Sequence, residues 1–176
     1  MIFDPGADGT PRFTGIHPLL AELLRATALD PWERCPSGSS RLLPRPGDEE
    51  ELCHDWEDHV QPELRRHFDK ERSVVAADLE GLKEEERKTP AKGEPGKQAT
   101  WSLEIPRDHS EAWLTTLNAL RLSLAEEHGL TESDLSQKQD PDFTTECGII
   151  LMQVNFYAFV QECLLLVLDE RGGGDA

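Results

Sequence analysis

The sequence predicts a mainly α-helical, single-domain bundle with a small β element. Three long stretches carry apolar residues at the three- and four-residue spacing of amphipathic helices, and the last stretch is apolar almost all round. Only residues 1–16 and 101–105 show the patterns of strands. A chain of 176 residues is long enough for one domain with its own core and too short to expect two. We therefore predict one domain over residues 1–171, followed by a flexible tail at 172–176.

The β element is predicted to be an N-terminal hairpin joined by one further strand. An Asp8-Gly9 turn signal separates two short apolar runs within residues 1–16. Residues 101–105 alternate apolar and polar side chains, which is typical of a half-buried strand that could pair with the hairpin. The apolar residues of these segments are Phe3, Phe13, Ile16, Trp101, Leu103 and Ile105.

The first helix is predicted for residues 17–29, where Pro18 stands in the first turn and leucines repeat on one face. Residues 30–47 are rich in proline, glycine and serine, and they should hold no regular element. A mobile loop is predicted at 84–99, because this segment is charged and has no large apolar side chain.

A long helix is predicted to begin at Asp48. The acidic residues 49–51 that follow it would stabilise the positive end of the helix dipole. Pro62 falls inside it, so either the helix kinks there or a second helix begins there. We expect a kink, because the apolar stripe continues on both sides. That stripe is Leu52, Trp56, Val60, Leu64, Phe68, Val75, Leu79 and Leu82.

The next helix is predicted to start with a capping box of Asp108 and Glu111, and to end at Gly129. Thr131 and Asp134 mark a short helix after it. The last helix runs from about residue 140 to 170 and has few polar residues, with an acidic exit. These features favour the central helix of a bundle over a membrane span. Near-complete burial is expected for Leu117, Leu120, Leu124, Leu151, Val154 and Leu164.

Charge is the strongest compositional signal. The chain has 35 acidic and 18 basic residues, for a formal net charge of −17. Such a field repels phosphate backbones and anionic lipids, so we expect neither direct nucleic-acid binding nor membrane docking. The first residues, MIFDPGADG, lack the basic and apolar regions of a leader peptide, so we expect none, and the cysteines are not closely spaced. A cytoplasmic protein with reduced thiols is the expectation.

The residues 49–59, EEELCHDWEDH, form a candidate metal site. Glu51 and His54 make an ExxH pair, and His54 and Asp58 share a helix face, which are spacings that helical metal sites use. The alternative is a solvated acidic face. No second ExxH pair accompanies the first, and no hydrolase or phosphate-binding motif is present, so we expect no cofactor and no enzyme.

A polar pair, Asn118 and Arg121, lies one helical turn apart beside the apolar stripe that starts at Trp113. An arginine at the edge of a packed face either supports the structure or recognises an acidic or carbonyl group of a partner. Both alternatives stay open at this point.

The segment EAWLTTLNALRLSLAEEHGL, residues 111–130, resembles the bacterial DUF2017 family. The family signature places Trp before Leu-Asn-x-Leu-Arg-Leu, and the matching positions here run from Trp113 to Leu122. Actinobacterial members resemble oxidative-stress-responsive transcriptional regulators that act with a sigma factor and switch through closely spaced cysteines. This sequence has no close cysteine pair, so Cys35 with Cys53 is the one pairing that a switch could use here.

We therefore expect a non-enzymatic regulatory or adaptor protein that acts through protein–protein contacts, in the setting of stress-responsive transcription that the resemblance implies. A metal-binding protein or enzyme that uses His54 and Asp58 is the rival hypothesis. A homodimer is a third, if Trp32, Trp56 or the final helix presents an apolar patch.

Overall fold

The computed structural model describes residues 1–6, 8–29, 41–44, 46–85, 99–136 and 142–169. Its elements confirm the predicted mainly α-helical fold with a small β element. The strands are β1 (Ile2–Asp4), β2 (Arg12–Ile16), β3 (Lys83–Glu85) and β4 (Thr100–Glu104). The helices are α1 (Pro18–Arg25), α2 (Glu50–Asp55), α3 (Gln61–Leu79), α4 (Ser110–Glu127), α5 (Glu132–Ser136) and α6 (Glu146–Asp169).

The four strands form one antiparallel sheet in the order β1-β2-β4-β3. The predicted hairpin is present, with Phe3 opposite Phe13, and the strand near 101–105 pairs with it through Phe13 and Leu103. β3 was not expected, because it occupies the first residues of the segment predicted as a mobile loop. Its side chains are charged and exposed, which suits an edge strand but leaves no apolar alternation to detect. The remainder of that segment, 86–98, lies outside the described residues, as does the predicted tail.

α4 lies between α3 and α6 and runs antiparallel to both. Towards α3, Asp78 contacts Trp113 and Phe68 packs in the same cluster as Leu122. Towards α6, Arg121 binds Gln161, while His128 at the end of α4 lies 4.0 Å from Glu146 at the start of α6. The helix with most contacts to other helices is thus α4, whereas we expected the C-terminal helix to be central.

The apolar C-terminal helix is present, and it covers one side of the bundle. Val154 and Leu164 are buried as predicted, as are Leu117, Leu120 and Leu124 of α4, but Leu151 is only half-buried. By length and composition α6 is apolar enough to cross a membrane, yet a third (33%) of its most apolar window is buried inside the protein. When a helix is apolar on all sides, the spacing of its apolar residues does not indicate which side is buried. The sequence therefore could not predict the exposed side of α6.

The long helix predicted from Asp48 is formed by α2, a π-helical turn at Trp56–Val60, and α3. The Gln61 amide donates to the Trp56 carbonyl across the wider π turn, directly before Pro62. The helix therefore has its irregular turn directly before Pro62, where we expected a kink.

The apolar stripe of this helix reaches the core only in its second half. Val75 is fully buried, whereas Leu52 and Val60 at the other end of the stripe are exposed. The combined helix is roughly 45 Å long against roughly 27 Å for α4, and its N-terminal part therefore extends past its partner.

The ends of α4 differ in how well they follow local sequence signals. No side chain caps its start, which is preceded by a 3-10 turn at Arg107–His109, so the predicted Asp108–Glu111 capping box was wrong. Gly129 has a φ of 61°, and the Leu130 amide donates to the Ala125 carbonyl at 2.8 Å. The predicted glycine C-cap is therefore present.

Candidate functional site

Trp113 is fully buried, and its indole N–H donates to a carboxylate from the neighbouring helix. The acceptor is Asp78 Oδ2 on α3, at 2.8 Å. His109 Nδ1 lies 2.9 Å and 3.1 Å from the two oxygens of the same carboxylate. The Asp78 side chain is only 6% exposed, and it contacts His109 of the 3-10 turn before α4 and Trp113 of α4 itself. This arrangement joins α3 to the start of α4.

Arg121 joins α4 to α6. Its Nη1 donates to Gln161 Oε1 at 2.6 Å, and Gln161 Nε2 donates in turn to the Leu114 carbonyl at 3.1 Å. The amide of Gln161 thus contacts two residues of α4 that lie about two turns apart. Arg121 therefore has a hydrogen-bonded position at the junction of α4 and α6.

The Arg121 guanidinium is incompletely paired. Burial lowers its pKa from the ordinary value, and the charge of Glu162 on α6 acts in the opposite direction. Its Nε is buried, and none of the described residues accepts a hydrogen bond from it. The guanidinium remains cationic at neutral pH, and the negative charge close to it is that of Glu162.

The three residues selected from the sequence do not form one site. Trp113 faces α3, Arg121 faces α6, and Asn118 is exposed on the outer side of α4 between them. Only Asn118 and Arg121 contribute to the same surface, one turn apart.

Beside Arg121, the second half of α6 presents an exposed apolar side, here called the α6 outer face. Phe159, Leu165 and Leu166 are 43%, 46% and 60% exposed. Helical spacing places Asn155, Glu162 and Asp169 on the same side, and all three are exposed. Leu165 lies one turn beyond Gln161, so the α6 outer face continues into the surface that carries Arg121 and Asn118.

The candidate metal residues lie on α2 and the π turn. His54 Nε2 is 3.5 Å from Asp58 Oδ2, with both side chains largely exposed, and Glu51 is exposed near them. Glu51 and His54 line an open acidic depression with Glu50 and Glu57. Within the described ranges, no group of three histidine, cysteine or acidic side chains is arranged to hold a metal ion.

The described cysteines are all free. Cys53 is buried and its thiol donates to the Gly47 carbonyl at 3.2 Å, whereas Cys147 is exposed. Burial raises the pKa of the Cys163 thiol, and the neighbouring Glu162 adds to this effect. Cys35 lies outside the described residues, so the Cys35–Cys53 pairing stays a prediction.

Comparison with protein families places the chain in a family. A family model described as a domain of unknown function, DUF2017, matches residues 13–168. The chain belongs to the DUF2017 family. No curated protein and no solved structure gives a significant match to the chain.

The residues that resemble the DUF2017 signature thus have distinct structural roles in this member of the family. Leu117 and Leu120 are in the core, Trp113 and Arg121 each make a hydrogen bond to a neighbouring helix, and Asn118 is exposed. Ala119, between Asn118 and Leu120, is buried in a small cluster with Leu42 and Leu43.

Sequence reasoning missed Asp78, His109 and Gln161. Asp78 left one usable signal, because it falls three residues after Val75 on an apolar stripe, where an unpaired carboxylate would be costly. His109 and Gln161 could not be identified from the sequence, since neither belongs to a motif or has a distinctive spacing to another polar residue.

Proposed function

We propose that this DUF2017 protein is a regulatory or adaptor protein that works by binding another protein. The observation that supports the proposal most directly is the α6 outer face. Soluble monomers seldom expose large side chains side by side, and contiguous exposed apolar surface is typical of interaction sites. Phe159 and Leu166 lie two turns apart on one side of a long helix, a form that another helix can pack against.

The adjoining polar groups supply the specificity that an apolar surface lacks. Asn118 is exposed, and Gln161 holds the half-buried Arg121 in position one turn further along α4. Buried or half-buried arginines beside aromatic and aliphatic residues are characteristic of interface hot spots. The proposed docking surface is therefore the α6 outer face together with Asn118 and Arg121.

The proposed setting is cytoplasmic, stress-responsive regulation in which the partner is a protein of the transcription machinery. The net charge of −17 favours such a protein partner over DNA itself. The proposal does not depend on a redox switch, since the Cys35–Cys53 pairing stays a prediction and the described cysteines are free.

The test is affinity capture with the full chain as bait in a lysate of the source cells. The bait variant Phe159→Ser/Leu166→Ser removes the apolar side chains of the α6 outer face. The control bait Ile2→Ser/Leu19→Ser removes two side chains that are 67% and 54% exposed elsewhere. We expect a partner that the wild-type and control baits retain and the α6 variant loses. Equal capture by all three baits would refute the docking surface.

A further inference from the structure

We infer that the α6 outer face receives a basic amphipathic helix of a partner protein. This inference rests on the proposed function and adds the chemical class of the partner. It concerns the second half of α6, where exposed residues recur at the spacing of a helix surface.

The shape of the face matches a helix better than a loop or a strand. α6 has 24 residues and is roughly 36 Å long. Asn155, Phe159, Glu162, Leu166 and Asp169 follow one another at steps of four, three, four and three, which makes one continuous line along the helix. A partner helix laid along that line would place its own apolar residues against Phe159 and Leu166, as in other helix-in-groove contacts.

The charge of the face selects the partner. α6 contains no lysine, arginine or histidine, and its charged residues are Glu146, Glu162 and Asp169. Glu162 lies inside the apolar line, and Asp169 lies at its end. Among the described residues, Arg121 on α4 lies next to this part of α6, and it is already bonded to Gln161. A partner helix with lysines or arginines flanking its apolar residues would therefore pair with both carboxylates.

A second copy of this chain would fit less well. Two copies packed through this face would bring the same carboxylates together, and each copy has a net charge of −17. An anionic membrane would meet the same repulsion from Glu162 and Asp169. Charge thus favours a basic protein segment over either alternative.

The test uses two synthetic, fluorescently labelled peptides of about eighteen residues with identical leucine positions. One peptide has lysine at its polar positions and the other has glutamate. Binding to the full-length protein is followed by fluorescence anisotropy at low and moderate salt. We expect the lysine peptide to bind and the glutamate peptide not to bind.

Two matched pairs of variants separate this face from general attraction to an acidic protein. Phe159→Ser/Leu166→Ser should weaken binding of the lysine peptide by about tenfold or more, and the control Leu19→Ser should not. Glu162→Lys should weaken it by about tenfold, whereas Glu84→Lys on the exposed edge strand, with the same change in net charge, should have little effect.

Each other outcome overturns the inference. Equal losses with Glu162→Lys and Glu84→Lys would mean that only net charge attracts the peptide. Concentration-dependent dimers in light scattering that Phe159→Ser/Leu166→Ser abolishes would assign the face to a second copy. Binding to vesicles of phosphatidylcholine and phosphatidylserine with no peptide binding would assign it to a membrane.

The capture experiment separates failure of this inference from failure of the proposed function. If the lysine peptide does not bind but the α6 variant still loses a captured partner, the partner class is wrong and the docking surface stands. If capture is also unchanged, both are wrong.

Discussion

Asp78 and Trp113 connect α3 to α4 by a hydrogen bond of 2.8 Å between a nearly buried carboxylate and a fully buried indole. Because both side chains are almost fully buried, water cannot readily replace either partner of this hydrogen bond. The indole N–H is a donor only, so without the carboxylate it would be left unpaired in the core. His109 contributes the second contact to the same carboxylate, and the three side chains fix where α4 begins relative to α3.

We predict that Asp78→Ala lowers the free energy of unfolding by about 1–3 kcal/mol, because the indole N–H and His109 Nδ1 lose their partner. Asp78→Asn should lose less, since its side-chain oxygen still accepts one hydrogen bond. Urea unfolding measures both. The control Asp69→Ala removes a half-exposed carboxylate paired with Arg72 at 3.0 Å and should change stability far less. Equal effects of the two alanine variants would contradict a special role for Asp78.

The features that the sequence predicted correctly are determined by residues close to one another in the sequence. The hairpin follows from Asp8-Gly9, the end of α4 from Gly129, and the burial of Leu117 from helical spacing. Each signal lies within a few residues of the structure that it specifies, so local chemistry is sufficient to read it.

The features that were missed depend on packing between distant segments. Asp78 and Trp113 are 35 positions apart, and Arg121 and Gln161 are 40 apart, so no spacing rule connects them. The outward side of α6 was hidden because leucine and phenylalanine occur on all its sides, and burial there is decided by what packs against it. The candidate site was therefore predictable only in Arg121 and Asn118.

Arg121→Ala should lower stability by about 1–3 kcal/mol, the range for removing a charged hydrogen-bond partner. The loss arises because Gln161 Oε1 would lose its donor at the junction of α4 and α6. In a double-mutant cycle, Gln161→Ala should cost less in the absence of Arg121 than in its presence, because only the bond to the Leu114 carbonyl is then left to lose. Arg66→Ala, which removes an exposed ion pair with Glu63, serves as the control. A loss of only a few tenths would identify Arg121 as a surface group and strengthen its assignment to binding.

The raised pKa of Cys163 predicts a loss of stability in alkaline solution. In the unfolded chain the thiol ionises near its ordinary value of 9.0, whereas in the folded chain burial and Glu162 keep it protonated to higher pH. Stability is therefore fully present below 9.0 and decreases as pH rises from there towards the folded-state pKa. Urea unfolding of the wild type and Cys163→Ala across this range isolates the effect. Parallel pH profiles for the two proteins would show that Cys163 contributes nothing to the decrease.

The two sides of α6 should respond differently to truncation. Leu164 is fully buried, so Leu164→Ala should cost about 2–5 kcal/mol through lost burial and the remaining cavity. Leu166 is 60% exposed, and Leu166→Ala should change stability by about 0.5 kcal/mol or less. Thermal and urea unfolding of the two variants provide the comparison. A large loss with Leu166→Ala would mean that something covers the α6 outer face in the free protein.

Specific DNA binding by the purified protein is not expected. The densest basic group in the sequence lies on α3, where Arg65, Arg66, Lys70 and Arg72 fall within eight positions. Acidic neighbours already neutralise part of it, since Arg66 pairs with Glu63 at 2.9 Å and Arg72 pairs with Asp69 at 3.0 Å. A phosphate would have to compete with these carboxylates.

The rest of the protein opposes DNA as well. Contacts to phosphates release counterions only where lysines and arginines cluster without acidic neighbours, and a net charge of −17 adds long-range repulsion. A short helix that could enter the major groove would need basic or amide side chains at its start, whereas α5 begins with Glu132 and has Asp134 in its first turn. Gel-shift titration at low salt with promoter DNA and with scrambled DNA of equal length should show no sequence-dependent shift. A saturable shift at sub-micromolar protein that discriminates between the two DNAs would contradict the adaptor proposal and favour a DNA-binding regulator.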